Sequence, residues 1–177
     1  MNQELLASLR ILAHVARADA RVRSEERLAL DALGERDCGA TAHELVHDKT
    51  ELAALLAAVK SPEIQRRTLI EAIALANVDG KCAPEEHALL LRIRDGFGLT
   101  DGIDLEHDSA AWKRRSARLR KALEDATTAY LHQVHSEDER AELTMGRYDK
   151  LVDELGRAKR EIQRAFAEVV DEIENSG

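Results

Sequence analysis

The sequence repeats itself at an offset of 60 residues, and this constrains the fold more than any other feature. The segment AHVARADARVRSEERLAL, which begins at Ala13, aligns with IALANVDGKCAPEEHALL, which begins at Ile73. An internal repeat of this kind indicates two supersecondary units that pack about a pseudo-twofold axis, each burying the face that the other leaves open. The identical pairs are Ala16 with Ala76, Asp19 with Asp79, Glu25 with Glu85, Glu26 with Glu86 and Leu30 with Leu90.

The residue types in both copies favour helices. Aromatic residues make up 3% of the chain and there are two prolines, whereas Ala, Leu, Glu and Arg are abundant. Strands draw on aromatic and β-branched residues, so we predict an all-α fold. The formal net charge of −8 argues against an extended nucleic-acid-binding face. The sequence has no apolar run of membrane-spanning length and no secretory signal, so we expect a cytoplasmic protein that allows at most peripheral membrane contact.

Five helices are predicted in the first 99 residues. The second is expected to stop at Gly34, and the third to be broken near Asp48, with Thr50 capping its second piece. Ser61 and Pro62 predict the start of the fourth helix. Pro84 suits the first position of the fifth, which is expected to end near Gly96 and Gly98. The predicted spans are 4–18, 25–33, 41–59, 62–78 and 84–96.

The chain changes character after residue 99. We interpret residues 1–99 as a duplicated helical bundle, 100–108 as a linker and 109–177 as a C-terminal helical hairpin or coiled-coil extension. Ser136 and Glu139 have the spacing of a capping box between its two long helices. The apolar seam of the last helix predicts association with a protein partner or a second copy. Its positions are Tyr148, Leu151, Leu155, Ala158, Ile162, Ala165, Val169 and Ile173.

The repeated turns also carry a family resemblance. An alanine-rich helix, an Ala-Asp-Gly turn or a close variant, and a Glu-Glu pair opening the next helix resemble the tellurite-resistance TerB-like family. The second copy, NVDGKCAPEEHALL, follows this pattern, whereas the first has Ala20 at the position of the turn glycine. The resemblance covers about residues 1–99. It implies a pseudo-symmetric all-helical fold, acidic patches that bind divalent cations, and a role in stress response.

Six carboxylates in the two turns are the candidate metal ligands. In each copy, an aspartate leaves one helix and two glutamates open the next, so the turn brings their oxygens together. The cofactor expected from this arrangement is a divalent cation, namely calcium, magnesium or zinc. Helix capping and the helix macrodipole favour the same residue types, so the sequence leaves both roles open. The residues are Asp19, Glu25 and Glu26 in the first copy and Asp79, Glu85 and Glu86 in the second.

A short segment of the first half resembles the zinc-binding motif of metal-dependent hydrolases. The residues from His43 to His47 read HELVH and match the H-E-x-x-H pattern of zinc hydrolases, with Glu44 as the general base. Such an enzyme would need a longer helix and a third ligand, neither of which the sequence identifies. We therefore expect a non-enzymatic module with no catalytic residues, and keep as alternatives a zinc-dependent hydrolase and a metal-free helical scaffold.

Overall fold

The computed structural model describes residues 2–78, 82–99, 103, 110–138 and 145–175, without the side chains of 110, 111, 113, 135–138 and 145–148. These residues form nine α-helices and no strand, which confirms the all-α prediction. The helices are α1 (Gln3–Ala16), α2 (Ser24–Asp37), α3 (Ala42–His47), α4 (Leu52–Ala58), α5 (Pro62–Ala76), α6 (Pro84–Phe97), α7 (Ala110–Arg115), α8 (Ala117–Asp138) and α9 (Met145–Glu174).

The helices reproduce the sequence repeat. Both ends of α2 and α6 differ by 60 residues, and α1 and α5 end 60 residues apart. Helix α1 packs against α5, and the buried hydroxyls of Ser8 and Thr68, which are also 60 residues apart, lie 2.7 Å from each other. A residue that contacts its own repeat counterpart lies on a twofold axis. The predicted pseudo-twofold bundle is therefore confirmed.

Several helix ends follow the predicted capping chemistry. The hydroxyl of Ser61 accepts a hydrogen bond from the backbone N–H of Ile64, and Pro62 is the first residue of α5. Pro84 is the first residue of α6, and that helix is capped at its C-terminal end by Gly98, whose φ of 67° is left-handed. Glycine adopts this conformation without steric cost.

Other helix ends differ from the predictions. Helix α2 continues past Gly34 to Asp37, because this glycine serves a close approach: a Cβ there would lie 2.0 Å from the Ala40 carbonyl oxygen. The break at Asp48 is present, but α4 begins after Glu51, since the N–H of Thr50 is bonded to the Asp48 carboxylate at 2.8 Å.

The predicted capping box at Ser136 is wrong, because α8 continues through this residue to Asp138. The predicted partner of Ser136 in that box, Glu139, lies outside the described residues. The first of the two long helices predicted in the C-terminal part is divided into α7 and α8 at Ser116, whose buried hydroxyl donates to the Trp112 carbonyl at 2.7 Å.

The C-terminal helices pack on the repeat. Trp112 and Phe166 are fully buried in the same hydrophobic core as Leu9 and Leu33. Helix α9 contacts α8, α2 and α5, and the Gln163 side-chain amide donates to the Ala32 carbonyl of α2 at 2.8 Å. One core thus joins the two parts, while the residue boundaries given above for the domains stay a prediction. None of the helices in the described residues combines the length with the apolar character that a membrane span requires.

The first repeat turn holds Ala20 in a left-handed conformation. Its φ is 64°, and no other non-glycine residue among those described has a positive φ. The Ala20 side chain is exposed. The sequence difference from the second copy therefore places an alanine where the backbone favours glycine.

We predict that Ala20→Gly stabilises the protein by about 1 kcal/mol. The left-handed conformation costs an alanine about 1–2 kcal/mol, and part of the gain is offset by the greater freedom of glycine in the unfolded chain. Urea denaturation monitored by circular dichroism measures the change. The matched control is Ala18→Gly, two residues earlier and at negative φ, which should destabilise the protein. Equal destabilisation by both substitutions would contradict the prediction.

Candidate functional site

Glu26 and Glu86 occupy equivalent positions at the starts of α2 and α6. The Glu26 Oε2 accepts a hydrogen bond from the Arg23 backbone N–H at 2.7 Å, and the Glu86 Oε2 accepts one from the Ala83 N–H at 2.6 Å. Each glutamate therefore supplies the carboxylate half of a capping box. Neither Arg23 nor Ala83 has a side-chain acceptor to complete it, so each helix start has only the glutamate half of the box.

The two glutamates meet across the pseudo-twofold axis. Both are buried and line one small cavity of about 10 Å³, together with Arg23, Glu25 and the apolar residues Leu75, Ala76 and Val78. The pKa of Glu26 is raised from 4.5 to about 7, chiefly by burial; the hydrogen bond from the Arg23 backbone opposes this rise, and the negative charges of Glu86 and Asp19 add to it. Two turns that are 60 residues apart in sequence thus contribute carboxylates to one place.

The remaining predicted ligands are placed unequally. Asp19 accepts a hydrogen bond from the Arg21 N–H at 2.9 Å and lies 3.6 Å from an Arg23 guanidinium nitrogen. Glu25 is half-buried at the cavity, whereas Glu85 is exposed. Asp79 lies outside the described residues. Among those that are described, no three His, Cys, Asp or Glu side chains are grouped closely enough to hold a metal ion.

The HELVH string forms the short helix α3. Glu44 Oε2 accepts hydrogen bonds from the Thr41 backbone N–H at 2.8 Å and hydroxyl at 2.9 Å, which holds the pKa of Glu44 below its usual value. The rings of His43 and His47 lie 4.3 Å apart, and the His47 Nδ1 is 2.8 Å from the His43 carbonyl oxygen. Glu44 thereby caps a helix of six residues.

The predicted seam of α9 lies mostly within this chain's own core. Its last four positions, Ile162, Ala165, Val169 and Ile173, are buried, and Leu155 and Ala158 pack against the same core. The side chain of Tyr148 lies outside the described residues. The C-terminal half of the seam is therefore occupied by α8, α2 and α5 and is not an open surface.

Sequence reasoning missed a second charged cluster, which joins Arg36 and Asp37 of α2 to Arg67 and Glu71 of α5. Glu71 stands in the apolar run LIEAIALA, four residues after Arg67. A lone glutamate within such a run, with an arginine at helical spacing, is the signal that could have indicated a buried ion pair.

The raised pKa of Glu26 should make the stability of the protein depend on pH. Because its folded-state pKa lies above the unfolded value, the folded protein binds more protons between about pH 4.5 and 7. The free energy of unfolding should therefore fall as pH rises through this window and stay low above it. Glu26→Gln keeps the cap acceptor and removes the charge, so it should stabilise the protein by about 2 kcal/mol at pH 8 and by much less at pH 4.

Urea titrations with a chelator present, at several pH values, measure this difference. The exposed residue Glu124, on α8, offers the matched control Glu124→Gln, which should preserve the wild-type pH profile. A stabilisation by Glu26→Gln that is the same at both pH values would contradict the prediction.

Comparison with known proteins places this geometry in a family. A family model described as tellurite resistance protein TerB matches residues 5–104, more than half of the chain. No curated protein and no solved structure matches the sequence. The matched span contains both repeats and both axial glutamates, so the family resemblance seen in the repeated turns is confirmed. The chain belongs to the tellurite-resistance TerB family.

Proposed function

We propose that this protein is a non-enzymatic TerB module that binds a divalent cation through its two repeated turns. The observation that carries the proposal is the meeting of Glu26 and Glu86 at one cavity, with Asp19 close enough to affect the pKa of Glu26. Like charges that are held together in a buried place repel one another unless a cation lies near them. A divalent cation would relieve this repulsion and link the two repeats at their axis.

The residues present are compatible with such an ion. Their donors are carboxylate oxygens, the ligands that calcium and magnesium prefer. Glu26 uses only Oε2 for its helix cap. The cavity volume of about 10 Å³ corresponds to roughly one water-sized sphere, which suits a single ion. The ligands would come from Asp19, Glu25 and Glu26 and, in the second turn, from Asp79, Glu85 and Glu86.

The partner surface that we infer is the exposed part of the C-terminal helical pair. The large apolar side chains that are exposed in the described residues, Tyr130, Leu131 and Val152, all belong to α8 and α9. Leu131 and Val152 each lie seven residues from the connected ends of these helices, or about 10 Å along each axis. Light scattering over a concentration series tests whether a second copy binds there.

We also propose, from membership of the family, that the module acts in a cytoplasmic stress response.

Thermal unfolding tests the cation proposal. Calcium, magnesium or zinc added to chelator-treated protein at pH 8 should raise the Tm by about 5 °C or more at 100 times the Kd, since binding then contributes about 2.7 kcal/mol. The increase should shrink in Glu26→Gln, measured against that variant's own metal-free Tm. It should persist in Glu124→Gln, which removes the same charge from an exposed site on α8.

Two results would contradict the proposal. One is an unchanged Tm with all three cations. The other is an equal increase in wild type, Glu26→Gln and Glu124→Gln, because a cation that binds elsewhere would not depend on the axial glutamate.

A further inference from the structure

The charged cluster of α2 and α5 is closed and balanced in charge, with Glu71 buried and the other three side chains half-buried. Arg36 Nη2 lies 2.7 Å from Asp37 Oδ2 and 2.8 Å from Glu71 Oε1. Arg67 reaches the same two oxygens, with distances of 2.5 Å from Nη2 to Asp37 and 3.1 Å from Nε to Glu71. Each guanidinium therefore bridges both carboxylates. Both arginines therefore have carboxylate partners within the chain, and neither needs a ligand to balance its charge.

Glu71 has one oxygen that the cluster does not use. The residue is 1% exposed, both arginines approach Oε1, and Oε2 is buried without a hydrogen-bond partner. Burial raises the pKa of Glu71 to about 7 in spite of Arg36. A buried acceptor without a donor costs free energy comparable to a lost hydrogen bond. Glu71 Oε2 thus marks a position where a donor from outside the chain would be stabilising.

This cluster borders a cavity of about 340 Å³ between α2, α5 and α9. Three exposed carboxylates line the same cavity and form no ion pair with a described residue. We call them the rim carboxylates: Glu63, Asp171 and Glu174. Two arginines therefore face five carboxylates, which leaves the cavity with excess negative charge. Ala167 and Val170 supply an apolar part of its wall.

We propose that this cavity binds an alkylammonium group, whose N–H donors reach Glu71 and the rim carboxylates while its carbon chain lies against Ala167 and Val170. A primary ammonium has three donors and no acceptor, which matches an acidic cavity with one unpartnered buried oxygen. Calcium or magnesium would require six or more oxygen ligands, but the arginines already occupy Glu71 Oε1 and Asp37 Oδ2. The ammonium can come from a free polyamine or from a lysine side chain of a partner protein.

Calorimetric titration of the full chain at low ionic strength tests the proposal, with diaminobutane and a lysine-containing tripeptide as separate probes. At least one probe should bind saturably and shift the Val170 methyl resonances. Stronger binding of the diamine indicates a free polyamine, and stronger binding of the peptide indicates a partner protein.

Removing rim charge should weaken binding without touching the core. Asp171→Asn with Glu174→Gln is expected to lower the affinity about 5- to 10-fold, in line with two partly exposed charge interactions. The matched control, Asp149→Asn with Asp153→Asn, removes two exposed carboxylates elsewhere on α9 and should change the affinity by less than about twofold. Glu71→Gln should weaken binding about tenfold. If Glu71→Gln does not fold, the comparison of the Asp171→Asn and Glu174→Gln double variant with its control still tests the proposal.

The proposal is overturned if neither amine binds, or if the rim variant and its control weaken binding equally. It is also overturned if magnesium shifts the Val170 resonances when neither amine does, because the cavity would then be a metal site.

Discussion

The packing of α1 against its repeat counterpart α5 is the constraint on which the rest of the structure depends. Ser8 and Thr68 meet at the centre of this contact, 2.7 Å apart and almost fully buried, and Thr68 also donates to the Ile64 carbonyl oxygen. A buried hydroxyl pair of this kind is satisfied only in one register of the two helices. Because α2 and α6 follow in equivalent ways, this register also brings Glu26 and Glu86 together at the axis.

The pseudosymmetry ends where the C-terminal helices bind. Helix α2 packs against α8 and α9, whereas α6 packs against α1, α4 and α5. The residues at equivalent positions explain the difference: Leu28 and Ala32 of α2 are buried, but their counterparts Ala88 and Arg92 on α6 are exposed. The two copies therefore share the axial carboxylates Glu26 and Glu86. They differ on the helix face that α2 buries and α6 leaves exposed. Helix α9 contacts α2 of the first copy and α5 of the second, and the cavity beside Glu71 lies between these three helices.

Much of the fold could be predicted because the signals are local. Ser61, Pro62, Pro84 and Gly98 act on the backbone next to them, so the helix ends that they mark follow from a few residues. The helix end predicted at Gly34 is wrong because this glycine is needed for the close approach of Ala40, which packs against it in the folded chain. For the site, the repeat drew attention to Glu26 and Glu86, but their burial at one cavity depends on how α2 and α6 approach each other, which no local pattern specifies.

The central claim is that the two repeated turns form one electrostatically coupled site. The most direct measurement is the pKa of the Glu26 carboxyl, followed by its side-chain carbon resonance in metal-free protein, in wild type and in Glu86→Gln. The account predicts a wild-type pKa near 7 that moves toward 4.5 in the variant without reaching it, because burial is the larger cause and the charge of Glu86 adds to it. A pKa of Glu26 that is the same in both proteins would contradict the account.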